Sequence, residues 1–249
     1  MDHPYLSVII PAYNEAKRIR PTLLDVNAKL AAKSFSYEIL VINDGSKDDT
    51  GAVVSQMSRT IKNLKLVDNA VNHGKGAVVR QGMLTAKGEY RLFMDADNST
   101  AVDQFTQMIL YFEKGYDVVI GSRAMRGSRL EPPQPLFRRI AGKVLNIATQ
   151  LLLLPGIWDT QCGFKAFTAR AAEAIFPNVR ITGWGFDVEA LSLARAMGFR
   201  IKEVPIVWKN DVFSHVRMSA GVTFLLENVR IRWWLWTHQY SLTSIAHGR

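Results

Sequence analysis

The first half of the chain alternates short apolar runs, rich in β-branched residues, with longer segments whose apolar residues recur every three or four positions. The short runs predict strands at residues 6–10, 38–42, 64–67, 90–94 and 118–120. The longer segments predict helices at 15–33, 48–61, 75–86 and 102–114. Regular alternation of this kind predicts an α/β fold, a doubly wound and mostly parallel sheet flanked by helices.

The second half departs from this alternation. Residues 124–135 are rich in Arg, Gly and Pro and predict a loop. An apolar helical stretch at 137–154, a helix at 186–197 and a strand at 201–208 follow. We expect one domain over residues 1–210, with a donor half of about 1–122 and an acceptor half of about 123–210. Residues 211–249 form a C-terminal segment rich in Trp and Arg.

Polar clusters follow four of the predicted strands. They are 11–15 after the first strand, 43–46 after the second, 95–97 after the fourth and 121–123 after the fifth. In open α/β sheets, ligands bind beyond the carboxyl ends of the strands. The sequence therefore predicts one ligand site that these clusters share at a single rim of the sheet.

The acidic cluster Asp95-Ala96-Asp97 suggests a metal site. Residues i and i+2 of an extended chain face the same side, so both carboxylates can bind one hard cation, Mg²⁺ or Mn²⁺. Such a cation usually completes its shell with water and phosphate oxygens, and Ser99 is a candidate third ligand. The competing interpretation is a solvated turn that caps the next helix.

A second polar motif, residues 73–76, opens the third helix. Its glycines permit close approach of the backbone, and Lys75 is placed to contact a phosphate. The motif lacks the full Walker spacing, which argues against an ATPase. Together with the paired carboxylates, it favours a diphosphate ligand over a simple turn.

Composition narrows the location and the partner. The formal net charge of +9 favours a partner that carries negative charge, which includes nucleic acid, anionic lipid and phosphorylated substrates. A single cysteine excludes an internal disulfide framework. The N-terminus lacks secretory signal features, and no apolar run reaches the roughly 18 residues of a membrane span. We expect a cytoplasmic protein in peripheral contact with the membrane.

Taken in order, the motifs at 8–15, 43–50, 72–76 and 95–97 resemble glycosyltransferase family 2, whose members have the GT-A fold. The motifs at 121–123, 159–165 and 185–189 are similar to those of the polyprenyl-phosphate branch, in particular the dolichyl-phosphate glucosyl and mannosyl transferases. The similarity covers about residues 5–210.

The resemblance implies roles for individual residues. Those expected around the donor nucleoside are Pro11, Ala12, Tyr13, Glu15 and Asp44. Asp95, Ala96 and Asp97 are expected at the metal-bound diphosphate, with Lys75 and Arg217 as further diphosphate contacts. The acceptor phosphate is expected to contact Arg123 and one of two later arginines, Arg138 or Arg139.

These roles imply inverting transfer of a hexose from a nucleotide-sugar to a polyprenyl or dolichyl phosphate. UDP-glucose is the favoured donor and GDP-mannose the next. A phosphate monoester is mostly ionised at neutral pH, so it needs no general base. A sugar hydroxyl acceptor would need one, and Asp187 is the candidate. Trp184 is then placed either against the sugar face or in ordinary packing. The bland interpretation of Asp187 and Glu189 is that one caps a helix and the other is solvated.

Two other functions and two questions about apolar segments stay open at this point. A nucleotidyltransferase also uses an α/β sheet and paired carboxylates, but would release pyrophosphate. Nucleic-acid binding is disfavoured because acidic groups collect at the strand ends. For residues 137–154 core packing is slightly favoured over lipid contact. The cluster at 233–236 predicts an interface with lipid or with another subunit, including a second copy of the chain.

Overall fold

A computed structural model describes residues 3–131, 136–209 and 219–242, with side chains for all of these except 136–141 and 219–220. The strands are β1 (Leu6–Ala12), β2 (Tyr37–Asp44), β3 (Leu64–Asn69), β4 (Tyr90–Met94), β5 (Val118–Ser122), β6 (Arg129–Glu131), β7 (Phe164–Thr168), β8 (Ile201–Pro205) and β9 (Val207–Lys209). The helices are α1 (Ile19–Ala31), α2 (Thr50–Met57), α3 (Lys75–Thr85), α4 (Phe105–Glu113), α5 (Leu136–Leu152), α6 (Ala169–Ile175), α7 (Phe186–Ala196) and α8 (Ser219–Trp236). Short 3₁₀ helices lie at Val102–Gln104 and Phe176–Asn178.

Within these ranges, seven strands form one sheet in the order β3-β2-β1-β4-β7-β5-β8. All neighbours are parallel except β7, which runs antiparallel to both β4 and β5. Strands β6 and β9 pair in a separate small sheet. The predicted doubly wound, mostly parallel sheet is confirmed, and strands from both halves of the chain share it.

Alternating side chains of the strands face two apolar layers. In β1, Ile9 faces the layer that contains α3, α6 and α7, whereas Val8 and Ile10 face the layer that contains α1, α2 and α4. Phe224 and Ile231 of α8 join the first layer. Helices therefore cover both faces of the sheet and leave the carboxyl ends of the parallel strands as the open rim.

Several elements differ from the sequence prediction: helix α6 was not predicted, and strand β6 lies within the predicted loop at 124–135. Strand β7 was not predicted, because Lys165 interrupts its apolar run; the structure buries this lysine beside a carboxylate. The single strand predicted at 201–208 is two strands, β8 in the main sheet and β9 in the small one. The break falls at Ile206, where the chain leaves the main sheet.

Helices α5 and α8 pack together and expose apolar side chains. Asn228 of α8 donates a buried hydrogen bond of 2.8 Å to the Thr149 hydroxyl of α5. On the outer side, α5 exposes Val144, Ile147 and Leu151, so core packing accounts for only part of its apolar character. The exposed large apolar residues of α8, here called the apolar stripe, are Val222, Leu226, Val229, Trp233 and Trp236.

The apolar stripe repeats at intervals of four, three, four and three residues, which places it on one face of the helix. Arg230 and Arg232 are exposed beside it. Among the helices described, none is both long and apolar enough to cross a membrane.

Candidate functional site

The acidic turn after β4 is held by backbone contacts on both sides. The Asp95 amide donates a 3.1 Å hydrogen bond to the carbonyl of Gly163. The Ala96 carbonyl accepts a 2.7 Å bond from the Thr22 hydroxyl of α1. These contacts fix the turn at the rim where β1 and β4 end.

Asp95 forms an ion pair with Lys75, the first residue of α3, at 2.7 Å. The Lys75 ammonium also lies 4.8 Å from the ring centroid of Trp184. Burial by itself lowers the pKa of Lys75, but Asp95, Asp187 and Asp97 outweigh it and raise that pKa above its ordinary value. Lys75 is therefore a firmly charged cation at the acidic turn.

Asp97 is partly buried, and its Oδ1 accepts a 2.9 Å hydrogen bond from the Ser99 amide. Burial, and then the negative charge of Asp95, raise its pKa. A bound cation would offset the effect of Asp95 on the Asp97 carboxylate, so the pair is a natural cation site.

The donor set fits a divalent cation that shares its shell with a substrate. Ser99 Oγ is buried beside Asp97 and has no hydrogen-bond partner, which suits a weak oxygen ligand. Within the described ranges, no group of three or more His, Cys, Asp or Glu side chains is placed to hold a metal. The pair Asp95 and Asp97 would therefore rely on phosphate oxygens for further ligands.

Asp44 organises the loop before α3. Its carboxylate accepts hydrogen bonds from the His73 amide (2.7 Å), the Asn72 side chain (2.9 Å) and the Gly74 amide (3.1 Å). Gly74 has φ of +94°, a conformation that favours glycine. A carboxylate has about four acceptor positions, so one remains, and the expected contact with a nucleobase stays a prediction.

The expected nucleoside residues follow β1 at the same rim. Pro11 and Ala12 are buried at the end of the strand, and Tyr13 is exposed. Glu15 accepts two hydrogen bonds from Arg18, at 2.6 and 2.7 Å. Burial raises the pKa of Glu15, and the charges of Asp97 and Asp95 add to this rise. The structure thus brings Glu15 and the acidic turn together.

Arg123 follows β5 and is held by Asp159. Its Nε and Nη2 donate to the two carboxylate oxygens at 2.8 and 2.9 Å. Its guanidinium carbon lies 5.4 Å from the ring centroid of Trp208. Sequence reasoning expected a phosphate contact here and missed the carboxylate. The side chains of Arg138 and Arg139, in α5, and all of Arg217 lie outside the described residues.

The Asp187 side chain is buried, so it is not solvated. Its side chain forms a 2.7 Å ion pair with Lys165, and the two residues are 4% and 1% exposed. Burial raises the pKa of Asp187, while Lys165 and then Lys75 act against this rise. Lys165 also donates to the Cys162 carbonyl. The Lys165 ammonium lies 5.6 Å from the ring centroid of Phe93.

Glu189 is fully buried, so the interpretation of this residue as solvated is wrong. It accepts hydrogen bonds from the Arg180 and Ile181 amides, at 2.9 and 2.7 Å, and from the Tyr240 hydroxyl, at 2.7 Å. The helix begins at Phe186 without a side-chain cap, so the interpretation that one of Asp187 and Glu189 caps it is also wrong.

The fold is GT-A, as solved structures show. Mannosyl-3-phosphoglycerate synthase from Rubrobacter xylanophilus superposes with a TM-score of 0.70 over 99% of this chain and 78% of that one, at 16% identity. Glucosyl-3-phosphoglycerate synthase from Mycobacterium tuberculosis, in complex with Mn²⁺, UDP-glucose and phosphoglyceric acid, gives 0.66 over 92% and 78%, also at 16% identity.

The chain belongs to glycosyl transferase family 2, whose model matches residues 7–176. Among its relatives, a dolichyl-phosphate beta-glucosyltransferase of Dictyostelium discoideum is 39% identical over 93% of this chain and 75% of its own length. The Homo sapiens protein of that name is 32% identical over 82% and 67%. The resemblance in the motifs is thus confirmed, and the protein is a glycosyltransferase rather than a nucleotidyltransferase.

Gly163 allows the acidic turn to approach the β7 strand, and sequence reasoning did not single it out. A Cβ at this position would overlap the carboxylate of Asp95. We expect Gly163→Ala to displace Asp95 and to lower the rate of glycosyl transfer about 100-fold, the scale of a 1 Å misplacement. Steady-state kinetics on purified protein measure this.

The matched control is Gly142→Ala in α5. A Cβ there meets no atom within 4 Å. Alanine favours a helix over glycine by about 1 kcal/mol, so this variant should keep its activity and be slightly more stable. Equal activities of the two variants would show that the position of Asp95 does not depend on Gly163.

Proposed function

We propose that this protein transfers glucose from UDP-glucose to a dolichyl or similar polyprenyl phosphate, with inversion at the anomeric carbon. The relatives that carry the name dolichyl-phosphate beta-glucosyltransferase, including those of Dictyostelium discoideum and Homo sapiens, support the donor sugar and the acceptor. The structural observation that carries the proposal is the acidic pair Asp95 and Asp97 with Lys75 at the carboxyl rim of the sheet.

Transfer of the glucosyl group leaves negative charge on the departing diphosphate. Lys75 is placed to contact that diphosphate, because it is charged and lies at the N-terminus of α3, where anions are favoured. Asp95 holds the Lys75 ammonium at 2.7 Å, so this ammonium is oriented before the donor binds.

Asp95, Asp97 and Ser99 are the residues that would hold Mg²⁺ or Mn²⁺. The bound cation would stabilise the negative charge of the leaving diphosphate. These three side chains supply only a few of the oxygen ligands that such a cation needs. This suits a metal that binds together with the nucleotide-sugar, whose phosphates supply further ligands.

The surroundings of Asp187 favour a phosphate acceptor over a sugar hydroxyl. A hydroxyl acceptor needs a general base within reach of its proton. Asp187, the candidate, is buried and paired with Lys165. A phosphate monoester needs no base, because it is already mostly ionised at neutral pH.

Arg123 is our candidate for positioning the acceptor phosphate. Asp159 fixes the plane of its guanidinium, so less side-chain entropy is lost when a phosphate binds to the free edge. Burial by itself lowers the pKa of Arg123, but Asp159 first, and Asp95 to a smaller degree, raise that pKa, so the arginine stays charged. Arg138 or Arg139 remains the proposed second phosphate contact.

We also propose that α5 and α8 contact the cytoplasmic face of the membrane, where a lipid-linked acceptor would lie. The apolar stripe of α8 exposes Trp233 and Trp236, and tryptophan is enriched at membrane interfaces. Arg230 and Arg232 flank the stripe and would be attracted to anionic headgroups.

The test is a donor panel with a short polyprenyl phosphate: UDP-glucose, UDP-galactose, UDP-N-acetylglucosamine and GDP-mannose, each with Mg²⁺, with Mn²⁺ or with chelator. Mass spectrometry of the lipid fraction identifies the product. We expect glucosyl phospholipid from UDP-glucose, and only when metal is present. Release of free glucose without any lipid product would contradict the phosphate acceptor and would make a hydroxyl the next acceptor to test.

A further inference from the structure

We propose that Glu227 of α8 is a positioning residue that holds the segment 183–185 over Lys75 and the acidic turn. Through this contact, seating of α8 on a membrane surface would set the geometry of the diphosphate site. The inference rests on the proposed function and adds a residue outside the donor and acceptor sites.

The contact of Glu227 with this segment is close. The Gly185 amide donates a 2.8 Å hydrogen bond to Glu227 Oε2. A Cβ on Gly183 or on Gly185 would lie 2.6 Å from an oxygen of the same carboxylate. The carboxylate therefore lies directly against the backbone on both sides of Trp184. A side chain at either glycine would push it away.

Trp184, next to Gly185, contacts Lys75 of the diphosphate site. Its ring is 46% exposed, and the Lys75 ammonium lies 4.8 Å from the ring centroid. Lys75 in turn forms the 2.7 Å ion pair with Asp95. The path from α8 to the acidic turn thus passes through one carboxylate, one indole and one ammonium. The first step is the hydrogen bond from the Gly185 amide, the second is the peptide link from Gly185 to Trp184, and the last two are the contacts of Lys75 with the indole and with Asp95.

The same helix carries the apolar stripe on its outer side. Phe224, Asn228 and Ile231 face inward and are buried, and Glu227 lies next to Asn228 at the edge of this inner side. The outer face of α8, with the apolar stripe, is therefore exposed. The inner edge, with Glu227, contacts the segment 183–185. Both faces belong to one helix, and a packed helix can couple two sites as a rigid element, so a shift of the outer face on a membrane would also shift Glu227.

A second link fixes the end of this unit. The Tyr240 hydroxyl, just beyond α8, donates a 2.7 Å hydrogen bond to the buried Glu189 of α7. Gly185 and Glu189 flank the first turn of α7, so α8 is tied to that turn at two points. The position of α8 thereby determines where the segment before α7 lies.

The experiment compares wild type with Glu227→Ala and Glu227→Gln. The acceptor is supplied either in anionic vesicles or as a short-chain polyprenyl phosphate free in solution. We expect vesicles to lower the KM for UDP-glucose of the wild type. We expect Glu227→Ala to lose that decrease and to have a KM about tenfold higher in vesicles, the scale of one lost hydrogen bond to a charged group.

Two further results are expected from a positioning role. Glu227→Gln keeps an acceptor oxygen and should recover most of the wild-type KM. In a double-mutant cycle, Trp184→Ala should remove most of the effect of Glu227→Ala, because both changes break one path. Additive effects of the two substitutions would overturn the proposal.

Controls separate this role from folding and from membrane binding. Glu113→Ala changes an exposed glutamate of α4 and should leave the KM unchanged. Glu227→Ala should float with vesicles as wild type does. A wild-type KM for Glu227→Ala in vesicles, or loss of its flotation, would overturn the proposal.

Failure of the proposed function would look different. In that case the wild type makes no glucosyl lipid, yet calorimetry of UDP with Mn²⁺ still measures the donor site. Tighter UDP binding in the presence of empty vesicles, absent in Glu227→Ala, would support the positioning role. Equal binding by the two proteins would overturn it.

Discussion

The variants Asp95→Asn and Asp97→Asn are expected to transfer glucose about 10³-fold more slowly than wild type. Each change removes a negative charge from the pair that would hold the divalent cation at the leaving diphosphate. Asp95→Asn also removes the partner of Lys75, which lies 2.7 Å away. Asp97→Asn leaves that pair in place, so its loss reports on the cation site alone.

The measurement is steady-state glycolipid formation over a range of Mg²⁺ and Mn²⁺ concentrations. Calorimetry of UDP binding with Mn²⁺ provides a readout that does not depend on turnover, and both variants should bind UDP more weakly. Asp103→Asn is the matched control, because its side chain is 48% exposed and lies 3.4 Å from Lys29 in a surface pair. A surface pair of this kind contributes little to stability. Full activity in Asp97→Asn would rule out the metal role of the pair.

The second large effect concerns stability. Lys165→Met is expected to lower the free energy of unfolding by about 3–5 kcal/mol, because it leaves the Asp187 carboxylate buried without its cation. The double variant Lys165→Met with Asp187→Leu should recover most of that loss, since neither charge then remains in the interior. Urea denaturation measures both, and Lys62→Met, at an exposed position, is the control.

The destabilisation should depend on pH. Burial already raises the pKa of Asp187, and loss of Lys165 removes the main opposing charge. A folded state that disfavours the ionised carboxylate raises its pKa, so stability falls as the pH rises from the unfolded pKa through the higher folded pKa. The difference between Lys165→Met and wild type should therefore be largest at neutral pH and should narrow in acid. A difference that is constant from pH 4 to pH 7 would show that Asp187 is not the cause.

The sequence predicted the elements whose own residues form a recognisable local pattern. Strands β1, β2, β4 and β5 are apolar runs followed by polar clusters, and their parallel arrangement brings the clusters to one rim. Lys75 and the acidic turn were identified for the same reason, because charged residues directly after a strand or before a helix are visible locally.

Long-range pairings were not visible in the sequence. Nothing local to Arg123 indicates that Asp159, 36 residues later, holds its guanidinium. Strand β7 contains a buried lysine, and only its distant partner Asp187 makes that placement possible. The acid of α8 that touches Gly185 is 42 residues away. In each case the residue could be identified from the sequence, but its partner is brought to it only by the fold.

Strand β7 also determines when the site can exist during synthesis. It lies between β4 and β5, so until residue 168 has left the ribosome these two strands have unpaired edges. The acidic turn lacks its Gly163 partner over the same interval. Exposed strand edges are sites of aggregation, so the nascent chain passes through a vulnerable stage. The last inner strand to be made therefore joins β4 to β5 and completes the acidic turn in a single step, before β8 pairs with the other edge of β5.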